Sequence, residues 1–281
     1  MALTRVFMLT LLAMLAFAAN SLLCRLALKH SDIDPASFTS IRLVSGALVL
    51  GLIVRVRGGS QGLAGSWPSA LALFTYAAAF SFAYVSLPAA TGALLLFSAV
   101  QATMIGVDLF RRERFGVRQT LGLLGALAGL VGLLLPGLSA PPLGGSVLML
   151  AAGAAWGVYS LRGRGSGDPL RVTAGNFLRA VAFAAALSLS MLPWASLDGS
   201  AIAYAMASGG IASGVGYAVW YTALPGLKVS SAATVQLSVP VLAAVGGIVW
   251  LGEPLTLRLV MASAAILGGI ALVIIPGRRV L

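Results

Sequence analysis

Charge is the scarcest property of this chain: 9% of its 281 residues are Asp, Glu, Lys or Arg, against roughly 25% in a soluble globular domain. With 59% hydrophobic residues and a mean hydropathy of +1.01, too little polar surface exists to clothe such a globule in water. That excludes a soluble enzyme or soluble binding module. Acid is scarcer still. The seven acidic residues Asp32, Asp34, Asp108, Glu113, Asp168, Asp198 and Glu253 all fall at or near the ends of apolar runs, so no midplane carboxylate is available for proton exchange. Facilitated, gradient-driven movement is the expectation for any solute carried. Cys24 and His30 are each alone of their kind, which excludes an intrachain disulfide. No Cys/His/Asp/Glu group has metal-ligand spacing, so no metal and no cofactor is expected. The same poverty opposes an intramembrane enzyme, which needs a nucleophile–base pair or metal ligands at depth.

The net charge of +11 does not indicate nucleic acid, because the basic residues are scattered between apolar runs rather than gathered on one polar module. What the sequence has in abundance is those runs. A span needs about 20 predominantly apolar residues, and the runs predict ten helices, near 6–28, 35–54, 68–88, 90–110, 118–135, 142–161, 169–192, 200–224, 228–250 and 256–275. Pro35, Pro68, Pro142 and Pro169 sit near starts, and Pro88, Pro136, Pro193, Pro225 and Pro276 near ends, where proline is tolerated or stops a helix. The fold class expected is an all-α polytopic membrane protein.

Alternate connections differ in charge. One side holds Arg5, Arg55, Arg57, Arg111, Arg112, Arg114, Arg118, Arg162, Arg164, Arg171, Lys228, Arg278 and Arg279, and the other only Lys29 and Arg258. This is the positive-inside pattern, with both termini cytoplasmic. Arg5, an apolar run and Ala16-Phe17-Ala18 imitate a cleavable signal peptide. The run continues past that point, which favours a retained first helix.

Sliding the chain by 140 residues aligns 91–137 with 231–277 without a gap, and nine of the 47 pairs are identical. The rare residues decide it: Ser98 meets Ser238, Glu113 meets Glu253, Arg118 meets Arg258, Gly129 meets Gly269, and Pro136-Gly137 meets Pro276-Gly277. A three-residue insertion carries the match upstream, pairing Phe80 with Tyr217 and Pro88 with Pro225, and a shift of 137 places Arg42 on Arg179. Residues 1–138 and 139–281 thus read as two copies of a five-helix unit. Five is odd, so the copies are inverted, an architecture that supports alternating access to a site near the midplane.

The two segments "FRRERFGVRQTLGLLGALAGLVGLLLPG" and "WLGEPLTLRLVMASAAILGGIALVIIPG", with the intramembrane arginines, resemble the drug/metabolite transporter superfamily in its ten-helix form with two EamA domains. The second segment fits that pattern better, since Arg112 replaces a glycine in the first. The resemblance implies transport of small molecules without fixing the cargo. The chain looks most like bacterial exporters of aromatic amino acids of the YddG kind; efflux of drugs or other metabolites by the same fold is the alternative. A scaffold or receptor without transport is disfavoured by the symmetry. The partners expected are a small-molecule substrate, in first place an amino acid, and the bilayer of the inner membrane; no nucleic acid is expected, and a monomer is favoured.

Candidate path residues fall into three sets. Arg42 and Arg179 lie within helices, where an arginine costs roughly 2.5–3.5 kcal/mol at the bilayer centre. Each either faces a cavity and attracts a substrate carboxylate or, the favoured use, snorkels or binds free carbonyls at helix ends. Tyr76, Phe80 and Tyr84 share one face of the third helix, and Tyr217, Trp220 and Tyr221 form the related stripe on the eighth. Of these, Tyr76, Phe80 and Tyr217, with Trp156 on the sixth helix, are candidates to line a cavity; Tyr84, Trp220 and Tyr221, near helix ends, suit an interfacial aromatic belt. Asn20, Ser98, Gln101, Gln236 and Ser238 are polar at depth, serving helix contacts or a cavity wall. Pro240 interrupts the ninth helix beside Ser238, and Gly214, in a glycine-rich stretch of the eighth, is a candidate hinge. The glycines of the fifth and tenth helices read as packing surfaces.

Overall fold

The structure is a computed structural model that describes residues 3–58, 64–110, 116–137, 140–163, 167–227 and 229–274, the side chains of residues 108, 109, 229 and 230 excepted. The prolines and acids punctuate the helices as their chemistry requires. Asp34 caps α2 (Pro35–Val56), Asp168 caps α7 (Pro169–Ser190) and Asp198 caps α8 (Gly199–Gly226), each accepting backbone N–H bonds that the first turn cannot satisfy internally. Ser66 does the same for α3 (Trp67–Tyr84). The remaining long helices are α1 (Leu3–His30), α4 (Ala89–Phe110), α5 (Val117–Leu134), α6 (Leu143–Gly163), α9 (Val229–Gln236 and Ser238–Leu251) and α10 (Leu257–Ile274).

Among the described residues nine helices are long and apolar enough to cross a membrane. The other, α3, has 18 residues but spends several of them on Trp, Ser, Thr and Tyr. It packs against α6 and α7 and buries Ser69, Tyr76, Ser81 and Tyr84, while Trp67 and Thr75 stay exposed. The chain is therefore an all-α, polytopic membrane protein. Large apolar side chains such as Leu48, Leu121, Ile211 and Val249 stand on the outside, where lipid rather than water is the solvent.

Two helices depart from the straight rods that the apolar runs predict. In α8 the segment Ala207–Val215 is π-helical between α-helical ends. Its glycines let it press onto α2: a Cβ on Gly209 would collide with the Arg42 carbonyl, and one on Gly214 would come within 3.0 Å of Val49. The candidate hinge Gly214 thus lies in a wide-turn segment, the usual site of helix bending. In α9 the helix stops at Gln236 and restarts at Ser238. Pro240 has no N–H for the Gln236 carbonyl, and Ser238 Oγ instead closes the turn onto the Val235 carbonyl at 2.6 Å.

The helix contacts obey a simple rule. α2 packs on α7, α4 on α9 and α5 on α10. α3 meets α6 as α8 meets α1, α4 meets α6 as α9 meets α1, and α2 meets α8 as α7 meets α3. Exchanging each helix with the one five places along leaves the first three contacts unchanged and carries each of the others onto its counterpart. In the α5–α10 pair, Gly122 and Gly129 are the close points: a Cβ would lie 2.5 Å from the Gly269 carbonyl and 2.8 Å from Ala265 Cβ, respectively. Gly125 and Gly132 face open space, so half of the small-residue stripe expected on α5 makes the contact. Glu113, Arg111, Arg112, Arg114, Pro276 and Gly277, which carry part of the repeat argument, lie outside the described residues.

Candidate functional site

Seven helices, α1, α3, α4 and α6 to α9, surround a cavity of about 840 Å³. On α1, α3 and α4 its lining stays in the middle part of each helix, at residues 17–21, 76–80 and 96–104, and on the other helices it runs to Gly163, Pro169 and Leu227. Those last residues are the end of α6, the start of α7 and the end of α8. The cavity therefore reaches one face of the bundle, the face that carries Arg162 and Arg171.

Its wall is aromatic because α6 and α8 present rings at helical spacing. Trp156 stacks on Tyr217 at 5.5 Å and 17° and on Tyr159 at 5.2 Å and 28°, and packs against Tyr76 at 4.9 Å. Phe17 of α1 adds contacts to Tyr217 and Trp220. Offset or tilted ring pairs at such separations gain about 0.5–1.5 kcal/mol each beyond burial, so the wall is held in place before any solute arrives.

At the closed end lies a buried polar chain. Ser208 Oγ donates to Asn20 Oδ1 at 2.6 Å, Asn20 Nδ2 donates to Tyr76 Oη at 3.2 Å, and Arg42 Nη2 donates to the same oxygen at 2.9 Å. The Arg42 guanidinium is 1% exposed and sits over the rings of Tyr76 and Phe80, 5.1 and 4.9 Å from their centroids. Its Nε and Nη1 have no hydrogen-bond partner among the described residues.

On the other face of the bundle an ion pair cross-links the helices. Arg25 Nε and Glu253 Oε1 form an ion pair at 3.1 Å, and Glu253 Oε2 accepts from Ala89 N at 2.7 Å. Arg25 Nη1 also donates to the carbonyls of Tyr84 and Val85 at 2.8 and 3.0 Å. One carboxylate thus joins α1, the α3–α4 turn and the end of α9. Gly252, with φ of +61°, makes the left-handed turn that aims it inward.

Of the side chains singled out from sequence, Asn20, Tyr76, Phe80, Gln101, Trp156, Tyr217 and Gln236 line the cavity. Arg42 stands behind the wall. Ser98 donates to the Leu94 carbonyl of its own helix at 2.6 Å, and Ser238 belongs to the break in α9. Arg179 spends its Nη1 on the carbonyls of Ala64 and Gly175, both at 2.9 Å, which is the helix-end use. The belt expected at Tyr84, Trp220 and Tyr221 is replaced by burial: Tyr84 is 0% and Trp220 8% exposed, and Trp220 and Tyr221 line the cavity. Proximity to a helix end does not mean proximity to lipid when that end is packed inside. The exposed tryptophans near span ends are Trp67, Trp194 and Trp250. Sequence reasoning missed Phe17, Ser208 and Ser213. An isolated ring and two serines among glycines carry no periodic signal. It also left Glu253 in a loop, although that residue is 7% exposed.

Comparison with known proteins gives a family. The sequence model of the EamA-like transporter family matches residues 4–135 and again 143–275. An uncharacterized protein of Pseudomonas aeruginosa is 60% identical over 273 residues, 97% of this chain and 95% of that one. The threonine/homoserine exporter RhtA of Salmonella typhimurium is 32% identical over 131 residues, 44% of this chain and 42% of the exporter. One protein of known crystal structure, 23% identical, covers 99% of each chain with a TM-score of 0.69, a likeness of fold.

Proposed function

Because the chain belongs to the EamA-like transporter family, we propose that it exports a small metabolite, an amino acid with a hydrophobic or aromatic side chain, by alternating access. The halves 1–138 and 139–281 act as inverted repeats, the bundle sits in the inner membrane with both termini cytoplasmic, and the working unit is one chain. The observation that carries this reading is the one-sided cavity of about 840 Å³. That volume falls within the 300–1,000 Å³ usual for small-molecule sites, and its rings suit an apolar side chain. The exchange symmetry of the helix contacts supports two halves that swap roles. Under the positive-inside pattern the cavity opens to the cytoplasm, where an exporter loads.

The Arg25–Glu253 ties then act as the outer seal of the loading state. Removing either partner would leave a buried charge uncompensated, so the seal holds until solute binding and the bends in α8 and α9 offset it. RhtA, with its threonine and homoserine cargo, supports amino acids as the class, while the aromatic wall favours bulkier side chains. Purified protein in liposomes, loaded with radiolabelled phenylalanine, tryptophan, leucine or threonine, tests the proposal. Saturable flux with phenylalanine and tryptophan preferred is expected. Flux of none of the four above empty liposomes would refute the amino-acid reading.

A further inference from the structure

The closed end of the cavity is polar in one sense only. Tyr76 Oη already accepts from Arg42 Nη2 and Asn20 Nδ2, so its accepting capacity is used, while its own proton has no acceptor among the described residues. Asn20 is placed with its amide nitrogen toward Tyr76 and its Oδ1 accepting from Ser208 Oγ, so it offers no acceptor to that proton in this arrangement. Arg42 has no acceptor to offer. Tyr76 lines the cavity, which leaves its O–H for an occupant.

A second donor lies on the same wall. Ser213 is 2% exposed, lines the cavity, and its Oγ has no partner among the described residues. It stands one helical turn from Tyr217, whose ring stacks on Trp156, which in turn packs on Tyr76. Behind Tyr76 is the Arg42 guanidinium, buried, with two unpartnered nitrogens and no carboxylate bonded to it among the described residues. A buried cation without counter-charge is costly to hold, and an incoming anion relieves it.

We propose that this end of the cavity is a carboxylate subsite. The cargo's carboxylate accepts from Tyr76 Oη–H, with Ser213 Oγ–H as the other donor, in the positive field of Arg42, while Trp156 and Tyr217 flank its apolar part. This rests on the transport reading and deepens it: the cargo carries a carboxylate, whatever its side chain.

The test compares binding of 3-phenylpropionate, L-phenylalanine, L-phenylalaninamide, phenethylamine and L-threonine to the purified full-length chain in lipid nanodiscs. Probes with a free carboxylate should bind about tenfold or more tighter than the amide or amine of the same skeleton, the size expected of a charge-assisted hydrogen bond. Tyr76→Phe, which keeps the ring, and Ser213→Ala, which removes a hydroxyl that no described protein group uses, should each narrow that gap to about threefold. Equal affinity of the wild-type chain for L-phenylalanine and its amide would overturn the subsite, as would an acid preference that survives both substitutions intact. Tight binding of L-threonine with none of the phenyl compounds would sink the aromatic cargo and uphold the carboxylate subsite. Transport of phenyl compounds without acid preference would do the reverse.

Discussion

Arg42 and Arg179 enter the membrane on α2 and α7, helices that exchange with one another under the contact symmetry, yet their heads end in different places. Arg179 finds backbone carbonyls at the start of α3 and within its own turn, whereas Arg42 ends among rings, with one phenol as acceptor. Arg179→Gln is therefore expected to leave apparent transport affinity within about twofold, since a glutamine amide can serve the same carbonyls; flux assays in liposomes check this. Trp156→Ala removes three ring contacts at once. Taking about 0.5–1.5 kcal/mol per pair, it should lower transport efficiency for an aromatic amino acid by about tenfold or more, and that for threonine much less. Arg42 shows how far sequence reaches. That an arginine lies in the second span is plain in the sequence. That no carboxylate among the described residues bonds to it, and that the Tyr76 phenol accepts from it instead, depends on side chains brought from other helices.

The α5–α10 pair and the caps set stability at the scale of elements. A side chain at Gly122 would run into the Gly269 carbonyl, so Gly122→Leu should destabilise the protein by about 1–3 kcal/mol through overpacking. Gly125→Leu, facing open space, should stay within about 0.5 kcal/mol; thermal unfolding in detergent separates the two. Asp34 ties the start of α2 to the loop before α8, accepting from Ala36, Ser37 and the Ser196 backbone N–H. Partial burial alone would raise its pKa, but the hydrogen bonds from Ser37, Ser196 and Ala36 outweigh it and lower the value below the ordinary 3.8. A folded-state value below the unfolded one means stability that is present above about pH 4 and lost as pH falls through the lowered value. Asp34→Ala should cost about 1 kcal/mol near neutrality, the usual worth of an N-cap, and should flatten that acid limb of the unfolding curve. The helices themselves were legible from apolar length, proline and capping residues. The wide turns of α8 were legible only as glycine density, because their geometry answers to Val49 and Arg42 on another helix, whereas the break in α9 is local and was legible as a proline.

For the whole molecule, the Arg25–Glu253 ties and the one-sided cavity belong to one arrangement, in which the large cavity reaches one face and the ties cross-link the other. Glu253→Gln should weaken the cross-linked face and shift the population toward the opposite opening. Cys24, the chain's lone cysteine, is 0% exposed and adjacent in sequence to Arg25, which makes it a native reporter. A membrane-impermeant thiol reagent added from outside should label the glutamine variant several-fold faster than the wild type; equal rates would show that the ties are structural only. Reporter fusions near residues 113 and 253 should fall on opposite faces of the membrane. The same face for both would remove the inverted repeat and with it the case for alternating access.

The sequence by itself determined the solvent and the all-helical, polytopic class, because hydrocarbon imposes length and apolarity on each helix separately. It also named seven of the side chains that line the cavity, those set apart by aromatic spacing or by polarity at depth. The tertiary structure alone decided which rings face the cavity rather than lipid, which arginine is satisfied and which is not, and which face the cavity reaches. Those outcomes depend on distances between helices far apart in the chain, and no local pattern encodes them.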